Sequence, residues 1–277
     1  MRIFVTGGTG QLGRALAQVC QADDLYLGVH GADDITRQAI VQRVLQFRPD
    51  VVIHAAAMTD VDACELAPDQ AFLVNAQGTR NVAEGARQSR ALMVYVSSDY
   101  VFDGAKNTPY LETDLTNPIN EYGRSKLAGE GITCTEAECW LVLRTSWLFG
   151  AGRPNFVTNV LEWARSQPII RLVKDKVGSP TYALDLARAI RHVIEAGLSN
   201  QLLHVSGSGE CNWVEYGQEI LARAGLEKRI EPISFDELRR PARRPAYSVL
   251  DKATLKRSGF EMPHWRAALA EFLRVDL

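Results

Sequence analysis

No two cysteines in this sequence stand in a C-x-x-C pair, and no apolar run approaches the length of a membrane span. The five cysteines (Cys20, Cys64, Cys134, Cys139 and Cys211) are scattered and odd in number, which excludes a disulfide framework and a zinc site and fits a reducing compartment. The longest apolar stretch, Val51 to Met58, contains His54 and falls well short of the ~20 residues that cross a bilayer. Near the start the chain reaches Gly7 too soon to hold the apolar segment of a signal peptide. A surplus of one charge is also missing: 31 Lys plus Arg stand against 33 Asp plus Glu, for a net charge of −2. That balance gives no general pull toward nucleic acid or an anionic membrane. Internal repeats and low-complexity linkers are absent as well. These gaps lead us to expect a cytoplasmic protein without nucleic-acid, membrane or metal partners, acting as a monomer or homodimer.

What is present is ample material for a core. Of 277 residues 46% are hydrophobic, enough for two domains or for one domain with an added lobe. In the first half β-rich runs at Ile3–Val5, Leu25–Val29, Val51–His54 and Leu92–Ser97 alternate with helical periodicity over Gln11–Cys20, Thr36–Phe47 and about Pro68–Gln88. The strands are continuously apolar, which predicts a parallel sheet covered on both faces, a doubly wound α/β (Rossmann-type) domain. Further strands are expected at Trp140–Arg144, Ile169–Val173 and Leu202–Val205, and helices at about Asn155–Ser166 and Tyr182–Ala196. We expect residues 1–150, with a returning segment at about 168–206, to form a dinucleotide-binding domain. About 151–167 and 207–277 would then form a smaller C-terminal α/β substrate lobe.

The turn after the first strand, Thr6-Gly7-Gly8-Thr9-Gly10-Gln11-Leu12-Gly13, spaces glycines as G-x-x-G-x-x-G. Glycines allow the backbone to turn tightly and to approach a pyrophosphate, which the open N–H groups of the following helix can hold. The ribose end differs from the usual NAD pattern. Where an acid is expected at the end of strand two, the chain reads Leu27-Gly28-Val29-His30-Gly31-Ala32-Asp33-Asp34, with Arg14 and Arg37 as further candidates for this region. This tilts the reading toward NADP, with Asp33 as the counterargument.

Tyr122-Gly123-Arg124-Ser125-Lys126 places a phenol and an ammonium at i and i+4, on one helical face. A nearby cation favours the phenolate, so such a Tyr is suited to proton exchange with a carbonyl oxygen. Ser98 falls at the end of strand four, on the sheet edge where ligands bind, and Ala55-Ala56-Ala57 after strand three leave room for a flat ring or a ribose. Together these residues resemble the extended short-chain dehydrogenase/reductase superfamily.

Longer strings narrow the resemblance. Ala57-Met58-Thr59-Asp60-Val61-Asp62, Ser98-Asp99-Tyr100-Val101-Phe102-Asp103-Gly104, Tyr122-Gly123-x-x-Lys126-x-x-Gly129-Glu130, Arg144-Thr145-Ser146-Trp147, Gly178-Ser179-Pro180-Thr181 and Arg243-Arg244-Pro245 resemble the dTDP-4-dehydrorhamnose reductase family, in its order. The resemblance implies NADPH- or NADH-dependent reduction of the C4 keto group of a dTDP-linked 4-keto-6-deoxy sugar. It implies a catalytic set of Ser98, Tyr122 and Lys126, adenine contacts at Asp34 and Ile35, and a coenzyme-binding turn at Gly7 and Gly10–Gly13. The sugar side would include Thr59, Val61, Tyr100, Trp147 and Asn155. Two positions depart from the family pattern: Ser98 replaces a frequent Thr, and Met58 a frequent His. Arg243 and Arg244 carry guanidinium forks that suit a diphosphate, against a plain reading as a solvated basic loop. Two other functions are compatible with the same motifs. One is a reductase or epimerase acting on another nucleotide sugar; the other is a non-catalytic NADP-binding regulatory subunit of the methionine adenosyltransferase type.

Overall fold

The strands β1 (Arg2–Thr6), β2 (Asp24–Leu27), β3 (Val51–His54), β4 (Leu92–Ser98) and β5 (Cys139–Thr145) join the later strand Gln201–His204 in one sheet. The structure, a computed structural model, describes residues 1–276. Across the sheet the order is Gln201–His204, β5, β4, β3, β1, β2, and every neighbouring pair is parallel. Side chains on a strand alternate between faces, and here the alternation divides the apolar residues into two cores. Ile3, Val5, Ile53, Leu141 and Leu143 pack on one side; Phe4, Val52, Met93, Tyr95 and Val142 pack on the other. Both faces are covered, so the expected doubly wound α/β fold is present.

The helices are α1 (Gln11–Val19), α2 (Ala39–Phe47), α3 (Val61–Leu66), α4 (Pro68–Phe72), α5 (Gly78–Ser89), α6 (Glu121–Glu136), α7 (Phe156–Ser166) and α8 (Ala183–Glu195), followed by shorter C-terminal elements. Leu12 and Leu16 of α1 and Ile190 of α8 belong to the first core, Val44 of α2 and Val82 of α5 to the second. The strand order reverses between β1 and β3, which opens a crevice at their carboxyl ends.

Three segments differ from the sequence-based expectation. The long helix expected over Pro68–Gln88 contains a π-helical turn at Leu73–Gln77. It turns Asn75 inward, where the amide accepts from the Met58 N–H at 2.8 Å and donates to the Met58 carbonyl at 3.0 Å and to Ser125 Oγ at 2.9 Å. Helix α2 begins at Ala39, later than expected, because Asp34 Oδ1 accepts from the backbone and hydroxyl of Thr36 and holds that stretch as a turn. Finally, Ile169–Val173 does not return to the main sheet. It pairs in parallel with Arg229–Ile233, so only the later part of the expected segment 168–206, through α8 and Gln201–His204, rejoins the first domain. An apolar run carries no label for its partner strand, and Arg229-Ile230-Glu231-Pro232-Ile233 is too polar to advertise itself.

A buried ion pair fixes α6 to the sheet. Arg144 of β5 donates to both carboxylate oxygens of Glu130 at 2.8 and 2.7 Å, with side chains 5% and 6% exposed. Ser97 of β4, beside Arg144 in the strand register, donates to the same carboxylate at 2.6 Å. Glu130→Ala leaves Arg144 buried without a counter-ion and should cost about 3–5 kcal/mol of unfolding free energy, read from urea titration. A midpoint unchanged from the natural protein would show that this pair does not hold the helix.

Candidate active site

The loops at the carboxyl ends of β1 to β5 enclose a cleft of about 600 Å³. Its first wall is the glycine turn. Gly7 has φ +70°, and a Cβ there would lie 2.9 Å from the backbone nitrogen of Ala56, so the two loops pass in near contact. A Cβ on Gly13 would lie 2.4 Å from the Gly8 carbonyl oxygen, which explains how α1 approaches the turn so closely. Gly10 caps α1 without any side-chain hydrogen bond, leaving its first-turn N–H groups open toward the cleft. The buried Gln11 Oε1 at the same place has no partner. A turn with open donors and no room for side chains fits a dinucleotide pyrophosphate.

Gly7, Gly10, Gln11, Leu12, Gly13, Asp34, Ile35, Ala55, Ala56, Ala57, Thr59, Val61, Ser98, Tyr100, Tyr122, Lys126 and Trp147 all line this cleft, as the sequence reading groups them. Asn155, Arg243 and Arg244 do not. The Asn155 amide is buried as the cap of α7, accepting from the Val157 and Thr158 N–H groups and donating to the Gly150 carbonyl. Arg243 is exposed, and its carbonyl accepts from the Asn120 side chain. Arg244 donates to Asp62 and to the Ala242 carbonyl, each at 2.5 Å, with its guanidinium over the Phe235 ring. Its charge is thus already matched. Arg14 likewise packs against Gly152, away from the ribose end.

Two of the lining residues that sequence reasoning missed bear on the chemistry of the cleft. Arg153 brings a guanidinium to the cleft from the loop after β5, and Trp213 stacks on Trp147 with ring centroids 3.8 Å apart. Trp147 holds φ +44°, an uncommon conformation for a bulky residue, braced between Trp213 and Gly178. An Arg in a glycine- and proline-flanked loop has no periodic signal, and Trp213 reads as core. Met58, whose identity departs from the family pattern, is held through its backbone by Asn75 and does not line the cleft.

At the centre lie Ser98, at the end of β4, and Tyr122 and Lys126, one turn apart on α6. Asn120 caps α6 by accepting from the Gly123 N–H, which fixes the start of the helix beside Ser98. The phenol of Tyr122 is half-buried on the cleft wall, and desolvation pushes its pKa above the ordinary phenol value, with Ser98 opposing the rise and the nearby Asp99 adding to it. Lys126 stands on the same face of α6 as Tyr122, one turn on. Its Nζ donates to the Val96 carbonyl at 2.7 Å and lies 4.2 Å from the Tyr95 ring centroid. Burial lowers its pKa to about 7, with Glu130 opposing the fall. Ser98 donates to Asp99 Oδ1 at 3.0 Å and accepts from the Tyr100 N–H. Burial raises the Asp99 carboxyl to about 7, against the hydrogen bond from Ser98.

This arrangement has relatives. The RmlD substrate binding domain family matches residues 1–276. The chain is 36% identical to the spore coat polysaccharide biosynthesis protein SpsK of Bacillus subtilis, over 99% of this chain and 97% of that one. It is also 36% identical to a dTDP-4-dehydrorhamnose reductase of Burkholderia thailandensis, over 99% and 98%. A crystal structure of dTDP-4-dehydrorhamnose reductase from Bacillus anthracis in complex with NADP superposes with a TM-score of 0.95, at 38% identity over 99% and 98% of the two chains.

The Asp99 shift sets a pH dependence. Its folded-state pKa lies above the unfolded one, so the folded chain binds the extra proton between about pH 4 and 7, and stability from this group grows as pH falls through that window. Relative to Asp99→Asn, the natural protein should therefore gain stability from pH 8 to pH 5 in parallel urea titrations. A relative loss on acidification would mean that Asp99 is held ionised.

Proposed function

The chain belongs to the dTDP-4-dehydrorhamnose reductase family, and from that premise we propose that it reduces the C4 keto group of dTDP-4-dehydro-L-rhamnose to give dTDP-L-rhamnose, with NADPH, or NADH in its place, as reductant. The observation that carries this reading is the convergence of a serine hydroxyl, a half-buried phenol and a buried ammonium beside a glycine turn with open N–H groups.

When bound, the coenzyme supplies two electrons and a hydrogen to the carbonyl carbon. The chain then has to bind, orient and protonate. Gly7 and Gly10–Gly13 take the pyrophosphate, Asp34 and Ile35 flank the adenine, and Ala55–Ala57 leave space for the nicotinamide half. Ser98 offers a hydrogen bond to the C4 oxygen. Tyr122, a weaker acid than a free phenol because of its burial, keeps its proton at neutral pH and yields it to an oxygen that is becoming an alkoxide. Lys126 stands on the same helical face and presents its ammonium toward the ribose side. On the sugar side, Thr59, Val61 and Tyr100 face the cleft, and the stacked Trp147 and Trp213 supply an aromatic wall for an apolar sugar face or a base. Arg153, the one arginine lining the cleft among the described residues, takes over the diphosphate role that the sequence suggested for Arg243 and Arg244.

Purified protein supplied with NADPH and the 4-keto sugar nucleotide should consume the reduced nicotinamide absorbance in step with product. Tyr122→Phe should lower that rate by about 10²–10⁴, the usual worth of a positioned proton donor. Isomerised sugar without net coenzyme oxidation would indicate an epimerase. Coenzyme binding with no turnover of any 4-keto sugar nucleotide would indicate a regulatory subunit.

A further inference from the structure

The ribose end of the cleft is built differently from what the linear sequence suggests. Strand β2 stops at Leu27, and Gly28, where a strand-end acid would hold the ribose 2′-hydroxyl, has no side chain. The chain then doubles back: the Asp33 N–H donates to the Val29 carbonyl at 2.9 Å, and the Val29 N–H donates to Asp33 Oδ2 at 2.8 Å. This brings the Asp33 Cβ to 3.6 Å from the point a Cβ on Gly28 would occupy. A carboxylate therefore reaches the strand end from a later position, and Asp33 lines the cleft together with Gly28, Val29 and His30.

That carboxylate is already engaged. Its side chain is 4% exposed, and Tyr26 Oη lies 3.1 and 3.2 Å from its two oxygens. Arg43 Nε of α2 lies 3.2 Å from Oδ1, its own side chain half exposed. Tyr26 is itself held by stacking on Phe4, with ring centroids 4.7 Å apart. A carboxylate offers about four acceptor positions, and here most are taken by donors that do not belong to a coenzyme. Its negative charge, which would repel a 2′-phosphate, is balanced by Arg43.

We infer that the Asp33–Arg43 pair sets the coenzyme preference of this chain, Arg43 cancelling the Asp33 charge so that the 2′-phosphate of NADPH is admitted. The inference deepens the coenzyme part of the proposed function and rests on that reading. Without Arg43, an uncompensated carboxylate would face the 2′ position and favour the hydroxyl of NADH. Without the Asp33 charge, Arg43 would be left free to attract the phosphate.

The test is equilibrium binding of NADPH and NADH to the full chain, followed by reduced-nicotinamide fluorescence with no sugar present. Arg43→Gln should weaken NADPH by about tenfold relative to NADH, the size of effect expected for one partly screened charge. Asp33→Asn should shift the ratio toward NADPH. Equal changes for both coenzymes, or none, in Arg43→Gln would overturn the inference and reduce the pair to a brace for the loop. If Asp33→Asn weakens both alike while Arg43→Gln is silent, that also reads as a brace and overturns it. A natural protein that binds neither coenzyme would overturn the coenzyme-dependent function as well, so the two failures are distinct.

Discussion

Helix α6 carries both Tyr122 and Lys126, yet it has no apolar stripe with which to dock. Its buried positions are Gly123, Ser125, Lys126, Gly129, Glu130 and Thr133. What holds it is the Glu130 carboxylate, gripped by Arg144 from β5 and Ser97 from β4. Close backbone approach does the rest: a Cβ on Gly129 would lie 2.2 Å from the Tyr95 hydroxyl, and one on Gly123 would lie 2.1 Å from the Tyr100 carbonyl oxygen. An apolar contact tolerates sliding, whereas a bidentate ion pair has one geometry. The relation between the helix that bears the phenol and the strand that bears Ser98 is therefore fixed by an interaction that does not permit a register error, with the Lys126–Val96 and Asn75–Ser125 hydrogen bonds beside it. Such a pair contributes little net stability after desolvation, and its value here is directional.

The same burial sets the electrostatics. Lys126 and Asp99 are both withdrawn from water, and burial pushes the ammonium down and the carboxyl up until each lies at about 7. The Lys126 ammonium is engaged by the Val96 carbonyl, and the Asp99 carboxyl by the Ser98 hydroxyl. Neither makes a direct contact with the phenol oxygen in the structure. The phenol is accordingly left as a protonated acid on the cleft wall, which suits donation to a developing alkoxide better than abstraction from a neutral group. The Lys126 ammonium is anchored on the Val96 carbonyl and lies over the Tyr95 ring.

Much of this was legible in the sequence because it follows from periodicity and from glycine. The apolar strands, the G-x-x-G-x-x-G turn and the Tyr–Lys spacing each have a local cause, and the parts they predicted meet at one sheet edge. Features that depend on a partner distant in sequence were not legible. Asp33 stands in the sequence only as a counterargument to NADP, because its return to the end of β2 needs a turn that closes on Val29. Arg244 looked available to an anion, because nothing in Arg243-Arg244-Pro245 announces Asp62, far earlier in the chain, as its counter-ion. Asn155 is a different case. Asn-x-x-Thr ahead of an apolar run is a capping pattern, so its structural use could have been read locally, and the family resemblance drew attention away from it.

The arginine-rich segment still bears on the site, though indirectly. Asp62 lies in α3, directly after Thr59 and Val61, and it accepts from Arg244, Arg240 and the Ala242 N–H. The Arg243 carbonyl accepts from Asn120, the residue that caps α6. One C-terminal strap thus ties the loop expected to meet the sugar to the first turn of the helix that carries Tyr122. Its guanidinium groups need not touch a phosphate to matter, because they fix two walls of the cleft relative to each other. A nearly neutral chain can in this way leave open helix N–H groups and the Arg153 guanidinium facing the cleft, while Arg240 and Arg244 near the site are spent on a carboxylate that holds its shape.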